Sequence, residues 1–301
     1  MYRGRFAPSP TGPIHLGTAR TALVAWLAAR AAGGTLVLRV EDLDTPRVRP
    51  GALEAMLDDL RWIGLDWDEG PDVGGPFGPY LQSQRRERYD AAIERLRASG
   101  RVFACTCSRK EIESVASAPH GEEPIYPGTC RSGPSHPERP AAVRFRFEAK
   151  DARAFDDGVH GAIGAGLGAG DFVVRRADGV HSYQLAVVVD DLAMEITDVV
   201  RGDDLLSSTP RQLALIEALG GRAPRYAHVP LVLGPDGQRL AKRHGAVTVR
   251  EQREQGVLPE TLVGRLARTL GLLDRDEALA ARELVSRFSL AKIAKGPVTM
   301  G

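Results

Sequence analysis

His15 and Gly17 stand two residues apart in the stretch FAPSPTGPIHLGT (6–18), just ahead of an alanine- and leucine-rich run. Prolines on either side of Ser9 stiffen the loop. A glycine at a helix start lets a bulky anion approach backbone N–H groups that have no partner within the helix. An imidazole beside them can donate to a phosphate oxygen and stabilise charge developing in a transition state. Far downstream, Arg239-Leu240-Ala241-Lys242-Arg243 sets three cations within five residues. Each piece alone also reads as a surface feature: a proline–glycine loop with one histidine, and a solvated basic loop. Together they describe two sides of a clamp for nucleotide phosphates, with Lys242 set against the charge that builds toward a leaving pyrophosphate.

A second grouping is Cys105-x-Cys107 followed by Tyr126-x-x-x-Cys130. Two thiolates on a tight turn and a distant third can hold a zinc ion, with the Tyr126 phenol as a less usual oxygen ligand. The same residues can equally be three reduced thiols and a loop tyrosine. Three cysteines, an odd number, do not make a disulfide framework. His120 and His136 are competing ligands nearby, imidazole being a commoner zinc donor than phenol. A zinc staple would anchor residues 116–140, which hold six prolines and little periodicity.

The elements that must position these residues follow from pattern. Ala19, Leu23, Trp26 and Leu27 fall on one stripe of a helix over 19–32, closed by Gly33-Gly34. TLVLRVED (35–42) reads as a buried strand, so strand, glycine loop, helix and strand predict a βαβ unit and a parallel sheet. RRERYDAAIERLRASG (85–100) predicts a second amphipathic helix. From 101 the texture changes: RVFACTCSRKEIESV is a strand or turn leading into a short helix. Residues 116–140 and 158–170, the latter with six glycines and no P-loop lysine, read as mobile loops of an inserted subdomain. DFVVRRADGVHSYQLAVVVDD (171–191) predicts two strands joined at Asp178-Gly179. MEITDVVRG (194–202) is a further strand and 209–219 a helix. HVPLVLGPDGQRLAKRHG (228–245) is a strand, a turn and the basic loop, and from 250 the pattern is helical.

Composition narrows the class. The 301 residues are 43% hydrophobic and 26% charged, enough to bury a large core, and no run approaches the roughly 18 apolar residues of a membrane helix. MYRGRF lacks the apolar run of an export signal, so a cytoplasmic location is expected. A net charge of +1 excludes an overall polycation and leaves nucleic-acid binding to a local basic face.

The two phosphate-type loops resemble the HIGH and KMSKS signatures of class I aminoacyl-tRNA synthetases, here His15-Leu16-Gly17-Thr18 and Arg239-Leu240-Ala241-Lys242-Arg243. RFAPSPTGPIHLGTARTAL, LRVEDLDTPR, IGLDWDEGP, SYQLAVVVDD and VVRGDD are similar to the catalytic core of the glutamyl branch and cover most of 3–250. At the first KMSKS lysine stands Arg239, keeping the charge; at the serine stands Ala241, without the hydroxyl. The resemblance implies an α/β fold: a Rossmann-like parallel sheet with an inserted zinc or acceptor-type subdomain and a short helical C-terminal segment. The expected division is a first catalytic half (1–100), the insert (101–170), a second catalytic half with the KMSKS-like loop (171–245) and a helical stem-contact-like segment (246–301).

It also implies roles. His15, Gly17 and Lys242 would be catalytic; His15, Gly17, Thr18, Arg239 and Lys242 would bind ATP, which carries magnesium. Arg5, Ala7, Ser9, Glu41, Tyr183 and Arg201 would bind glutamate. The residue types suit that substrate: Arg5 and Arg201 for carboxylates, Glu41 for the ammonium, Ser9 and Tyr183 for hydrogen bonds. Each arginine also reads as a surface ion pair, and Tyr183 as a half-buried strand aromatic. A carboxylate nucleophile needs no general base, so positioning and charge stabilisation suffice.

Within the family, Cys-x-Cys followed by Tyr-x-x-x-Cys resembles the glutamyl-queuosine tRNA(Asp) synthetases, in which Cys105, Cys107, Tyr126 and Cys130 would hold one structural zinc. GDDLLSSTPRQ (202–212) is closer to that subgroup too, with Leu205 where ordinary glutamyl-tRNA synthetases tend to carry histidine. About 58 residues follow Arg243, room for a helical stem-contact segment but not for a separate anticodon-binding domain. The implied reaction is ATP-dependent activation of L-glutamate to glutamyl-adenylate and transfer to queuosine at the first anticodon position of tRNA(Asp), an exposed loop base. The expected enzyme is a monomer with no membrane partner. Two alternatives stand beside it: a truncated or discriminating glutamyl-tRNA synthetase charging a 3′ end, and a catalytically silent paralogue that binds tRNA or glutamate. A small nucleotidyltransferase would leave Arg5, Glu41 and Arg201 unexplained.

Overall fold

The structure is a computed structural model that describes residues 1–115, 125–234, 236 and 247–299. β1 (Arg3–Phe6) leads through the opening loop into α1 (Leu16–Ala31), and β2 (Thr35–Leu38) returns beside β1. α2 (Ala52–Trp62) and α3 (Arg86–Ala98) follow, then β3 (Val102–Cys105), α4 (Arg109–Val115) and β4 (Ala142–Phe145). Next come β5 (Phe155–Asp157), β6 (Gly161–Ile163), β7 (Phe172–Arg175) and α5 (Tyr183–Ala193). The chain continues through β8 (Asp198–Gly202), α6 (Thr209–Ala218), β9 (Arg225–Val229) and β10 (Val232–Leu233). It ends with α7 (Val249–Glu254), α8 (Pro259–Thr269), short 3-10 turns and β11 (Val298–Thr299).

The large sheet runs in the order β2-β1-β8-β9-β5-β6, parallel throughout except for the last strand. This is the expected Rossmann-like architecture. Because β2 lies on one flank of β1 and β8 on the other, strand order reverses at β1. A crevice opens there at the strands' carboxyl ends, where such sheets bind ligands.

α1 is buried almost all round: Leu23, Leu27 and Ala29 are wholly enclosed. One side meets the sheet, while Leu262, Val263 and Leu266 of α8 join the same core on another. Alanines at 19, 22, 25 and 28 let neighbouring backbone come close, and each fully buried leucine contributes about 1.5–3 kcal/mol. Gly33 ends the helix at φ +57, a conformation that costs glycine little. At Gly34 a Cβ would lie 2.5 Å from the Tyr2 carbonyl, so the tight return into β2 requires glycine there.

β3, β4 and β7 form a separate antiparallel sheet, with Phe145 stacked on Phe172 at 5.2 Å. Sheet membership cuts across the expected 101–170 block. β5 and β6 join the large sheet, whereas β7, beyond 170, completes the small one.

Two local expectations are corrected. SYQLAVVVDD is helix α5, not the second arm of a hairpin; only β7 and a single bridge, Arg175 to His181, flank the Asp178-Gly179 turn. The Ser182 hydroxyl caps the helix by accepting from the Leu185 N–H at 3.3 Å. Leu185, Val187 and Val188 are all buried, so the run carries no period that distinguishes helix from strand. The glycine-rich run at 158–170 is also built, not a plain loop. β6 pairs with β5, and Gly168 sits so close to Ser207 that a Cβ would clash with its carbonyl at 1.9 Å.

Candidate active site

The crevice at the switch point holds a cavity of about 710 Å3. Arg5, Ala7, Ser9, His15, Gly17, Thr18, Glu41, Tyr183 and Arg201 all line it. The fold thus brings together residues from β1, the opening loop, α1, the end of β2, α5 and β8. Arg239, Ala241 and Lys242 lie outside the described residues.

His15 is the N-cap of α1, with extended backbone. The Leu16 N–H is taken by the Val247 carbonyl at 2.8 Å, while Gly17 and Thr18, in the same first turn, face the cavity. Their N–H groups have no acceptor within the helix, so the cavity wall presents the positive end of a helix. A Cβ at Gly17 would meet no atom of the described residues within 4 Å, and its φ is not in the left-handed region. Nothing among the described residues requires glycine there; the space it leaves belongs to the cavity.

The opposite wall is an ionic lattice. Arg5, 3% exposed, reaches Asp191 and the Val200 carbonyl, each at 3.4 Å. Asp191 also accepts from Arg39 at 2.6 Å, and Arg39 in turn lies 3.6 Å from Glu41. Burial pushes the Glu41 carboxyl up to about 7, although Arg39 and Arg5 pull it down. Arg201 donates from Nε to His228 Nε2 at 3.0 Å, and from its terminal nitrogens to Gln212 Oε1 at 2.7 Å and Thr209 Oγ1 at 2.9 Å. Longer contacts of 3.3 and 3.4 Å join it to the Tyr183 hydroxyl and the Leu205 carbonyl, both on the cavity side. Burial raises the Tyr183 hydroxyl pKa further, keeping it a neutral donor and acceptor.

Sequence reasoning passed over the residues behind this wall. Asp190, fully buried, accepts from Arg85, Gln82 and Tyr89 at 2.6, 2.8 and 2.9 Å. Asp191 bridges Arg5 and Arg39. A pair of aspartates ending an apolar run was the available clue, because carboxylates are buried only when paired. His228 and Asp157 carried no comparable mark.

Cys105, Cys107 and Cys130 place their sulfurs within 4.8 Å of one another, with 3.5 Å between Cys107 and Cys130. Zinc–thiolate bonds of about 2.3 Å put tetrahedral sulfurs about 3.8 Å apart, so the three thiols fit one zinc ion. The Tyr126 hydroxyl lies 3.4 Å from Cys105 Sγ and 3.6 Å from Cys107 Sγ, on the same cluster. Burial opposes ionisation of Cys130, but hydrogen bonds from the Ser135 hydroxyl and N–H and from the Thr106 N–H bring its thiol down to about 5. His136 turns to carboxylates, 3.3 Å from Glu111 and 3.7 Å from Glu138. His120 lies outside the described residues.

Comparison with known proteins places this geometry. Residues 1–298 match the family of tRNA synthetases class I (E and Q), catalytic domain. The chain is 54% identical to the glutamyl-Q tRNA(Asp) synthetase of Symbiobacterium thermophilum, over 99% of this chain and 95% of that one. It is 48% identical to a glutamate–tRNA ligase of Anaeromyxobacter sp. (strain Fw109-5), but spans only 61% of that protein. The crystal structure of glutamate-tRNA synthetase from Elizabethkingia anophelis superposes with a TM-score of 0.87 at 32% identity, covering all of this chain and 68% of the other. On the strength of the fold, the crevice and these matches, the chain belongs to the class I tRNA synthetases (E and Q), and within them to the glutamyl-Q tRNA(Asp) synthetase family.

Proposed function

We propose that this protein activates L-glutamate with ATP and transfers the glutamyl group to queuosine in tRNA(Asp). The observation that carries the choice over a tRNA-charging ligase is likeness: the chain is 54% identical to a glutamyl-Q tRNA(Asp) synthetase and 48% identical to a glutamate–tRNA ligase.

The roles assigned to the residues rest on the cavity. Arg5 and Arg201 hold the two carboxylates of glutamate, and Glu41 holds the ammonium, whose charge favours the ionised form of a carboxyl otherwise pushed up to about 7. Ser9 and Tyr183 add hydrogen bonds, and Ala7 leaves room beside the substrate. His15, Gly17 and Thr18 receive the ATP phosphates at the start of α1, and Arg239 and Lys242 are assigned to the same phosphates by their charge. The α-carboxylate oxygen bonds to the α-phosphorus as the bond to pyrophosphate breaks, and pyrophosphate leaves with the electron pair. In the second step a queuosine hydroxyl attacks the acyl carbon, AMP departs and the hydroxyl proton passes to solvent. Magnesium on the ATP phosphates would add charge neutralisation. Cys105, Cys107, Cys130 and Tyr126 would hold one zinc, tying β3 to the Cys130 loop. No described helix is long and apolar enough to cross a membrane; the setting we assign is the cytoplasm, together with the tRNA.

The test is transfer of labelled glutamate to purified tRNA from cells with and without queuosine. Label confined to queuosine-containing tRNA(Asp) is expected. Label on tRNA(Glu) irrespective of queuosine would make the protein a shortened charging enzyme, and no label with any tRNA a silent binder.

A further inference from the structure

Arg201 is gripped from behind. Its three shorter bonds go to His228, Gln212 and Thr209, all buried, whereas the two longer ones go to the cavity-lining Tyr183 and Leu205. Of the three grips, only the one from His228 depends on a proton position. Nε of arginine is always a donor, so His228 Nε2 must be bare to accept from it. A neutral imidazole with bare Nε2 carries its hydrogen on Nδ1, and Nδ1 lies 2.6 Å from Asp157 Oδ2.

Asp157 is itself fixed. Its other oxygen accepts from the backbone N–H groups of Val159 and His160 at 3.0 Å each, and of His228 at 3.2 Å. Burial alone would raise this carboxyl, but the hydrogen bonds from His228, His160 and Val159 bring it down to about 2, so it stays an acceptor. The ring of His228 is wholly buried, stacked on Tyr226 and also 3.2 Å from the Thr209 hydroxyl. Asp157, His228 and Arg201 sit on three adjacent strands, β5, β9 and β8, with Arg201 and His228 in direct register. The line runs across the sheet from the glycine-rich hairpin to the cavity.

We propose that Asp157 and His228 are positioning residues for substrate binding: Asp157 fixes the His228 tautomer, and His228 fixes the orientation in which the Arg201 guanidinium meets a substrate carboxylate. This rests on the reading that Arg201 holds a carboxylate of glutamate. The reverse tautomer would turn Nε2–H against Nε–H and swing the guanidinium away.

Two substitutions separate positioning from simple burial of a polar group. In His228→Gln the side-chain oxygen occupies the place of Nε2 and still accepts from Arg201, but the side-chain bond to Asp157 Oδ2 is lost. In His228→Asn the amide nitrogen occupies the place of Nδ1 and still donates to Asp157, but the side chain no longer reaches Arg201 Nε. Measured by glutamate-dependent ATP–pyrophosphate exchange and by thermal unfolding, H228N should raise the KM for glutamate by about 10–100-fold with the KM for ATP unchanged. H228Q should be the less stable of the two yet keep the lower KM for glutamate. If instead the KM for glutamate follows thermal stability, with H228Q worse in both, the network is structural only and the proposal falls. Arg201→Gln serves as the reference. An unchanged KM for glutamate there overturns the pocket reading and this inference with it. A raised KM in R201Q beside a normal one in H228N overturns this inference alone.

Discussion

The backbones of His15 and Thr248 pair in an antiparallel bridge, with Leu16 donating to the Val247 carbonyl and Val249 donating to the Ile14 carbonyl. The opening loop is therefore braced by the segment that follows the cationic motif, 233 positions away in sequence. The Thr248 hydroxyl caps α7 by accepting from the Glu251 N–H at 3.2 Å, and Glu251 returns a carboxylate to the N–H groups of Val247 and Thr248. Thr248→Ala removes one half of that box and should cost about 1 kcal/mol of stability. Thermal unfolding checks this, and Thr248→Ser should restore the wild-type transition. Because the bridge sets where His15 stands, T248A should also slow glutamate-dependent exchange without changing the KM for glutamate.

Glu41 makes a pH prediction of unusual sign. Burial lifts its carboxyl from 4.5 to about 7, against the pull of Arg39 and Arg5. The folded chain thus binds this proton more tightly than the unfolded chain. Its contribution to stability is present below about 4.5 and is lost as pH rises through about 7, the reverse of a salt-bridged carboxylate. Substrate ammonium needs the ionised form, so protons compete with glutamate. The KM for glutamate should climb as the pH is lowered from about 8 to about 6. Glu41→Gln should flatten that profile at a uniformly high KM; a slope that survives the substitution would assign the titration to another group.

Much of this was legible in the sequence, for stated physical reasons. Gly33-Gly34 marked the end of α1 because only glycine takes the required backbone there and admits Tyr2 so closely. The opening loop gathered His15, Gly17 and Thr18 within four positions, so their meeting at one wall needed no tertiary information. Helix α5 was misread because a run buried on every side has no period to read. The Asp157–His228–Arg201 line was invisible for another reason. Its members are 71 and 27 positions apart, joined only by the order in which strands enter the sheet, and Asp157 borders a glycine-rich run that reads as loop.

The cysteine cluster predicts metal content and its consequence. The purified protein should carry one zinc ion per chain by elemental analysis. Cys130→Ser should lose it and unfold at a lower temperature, because structural zinc contributes directly to folding. His136, held by Glu111 and Glu138 instead of facing the sulfurs, is the control: His136→Ala should retain the metal. Zinc lost from H136A and kept in C130S would reverse the ligand set. A protein with full activity and no zinc in any preparation would leave the three thiols as a reduced, packed cluster.

Gly17 separates function from folding most cleanly. A methyl group there meets no described residue within 4 Å, and the backbone needs no left-handed conformation. Alanine is favoured over glycine inside a helix by roughly 0.5–1 kcal/mol, so Gly17→Ala should unfold at the wild-type temperature or slightly above it. The methyl would nevertheless project into the cavity beside His15 and displace whatever approaches the N–H groups of the first turn. If that group is an ATP phosphate, a shift of about 1 Å should cost about 10²-fold in exchange rate. The KM for glutamate, set on the opposite wall by Arg5, Glu41 and Arg201, should hold. A G17A protein that is both stable and fully active would move the phosphates away from α1 and take with them the role assigned to His15.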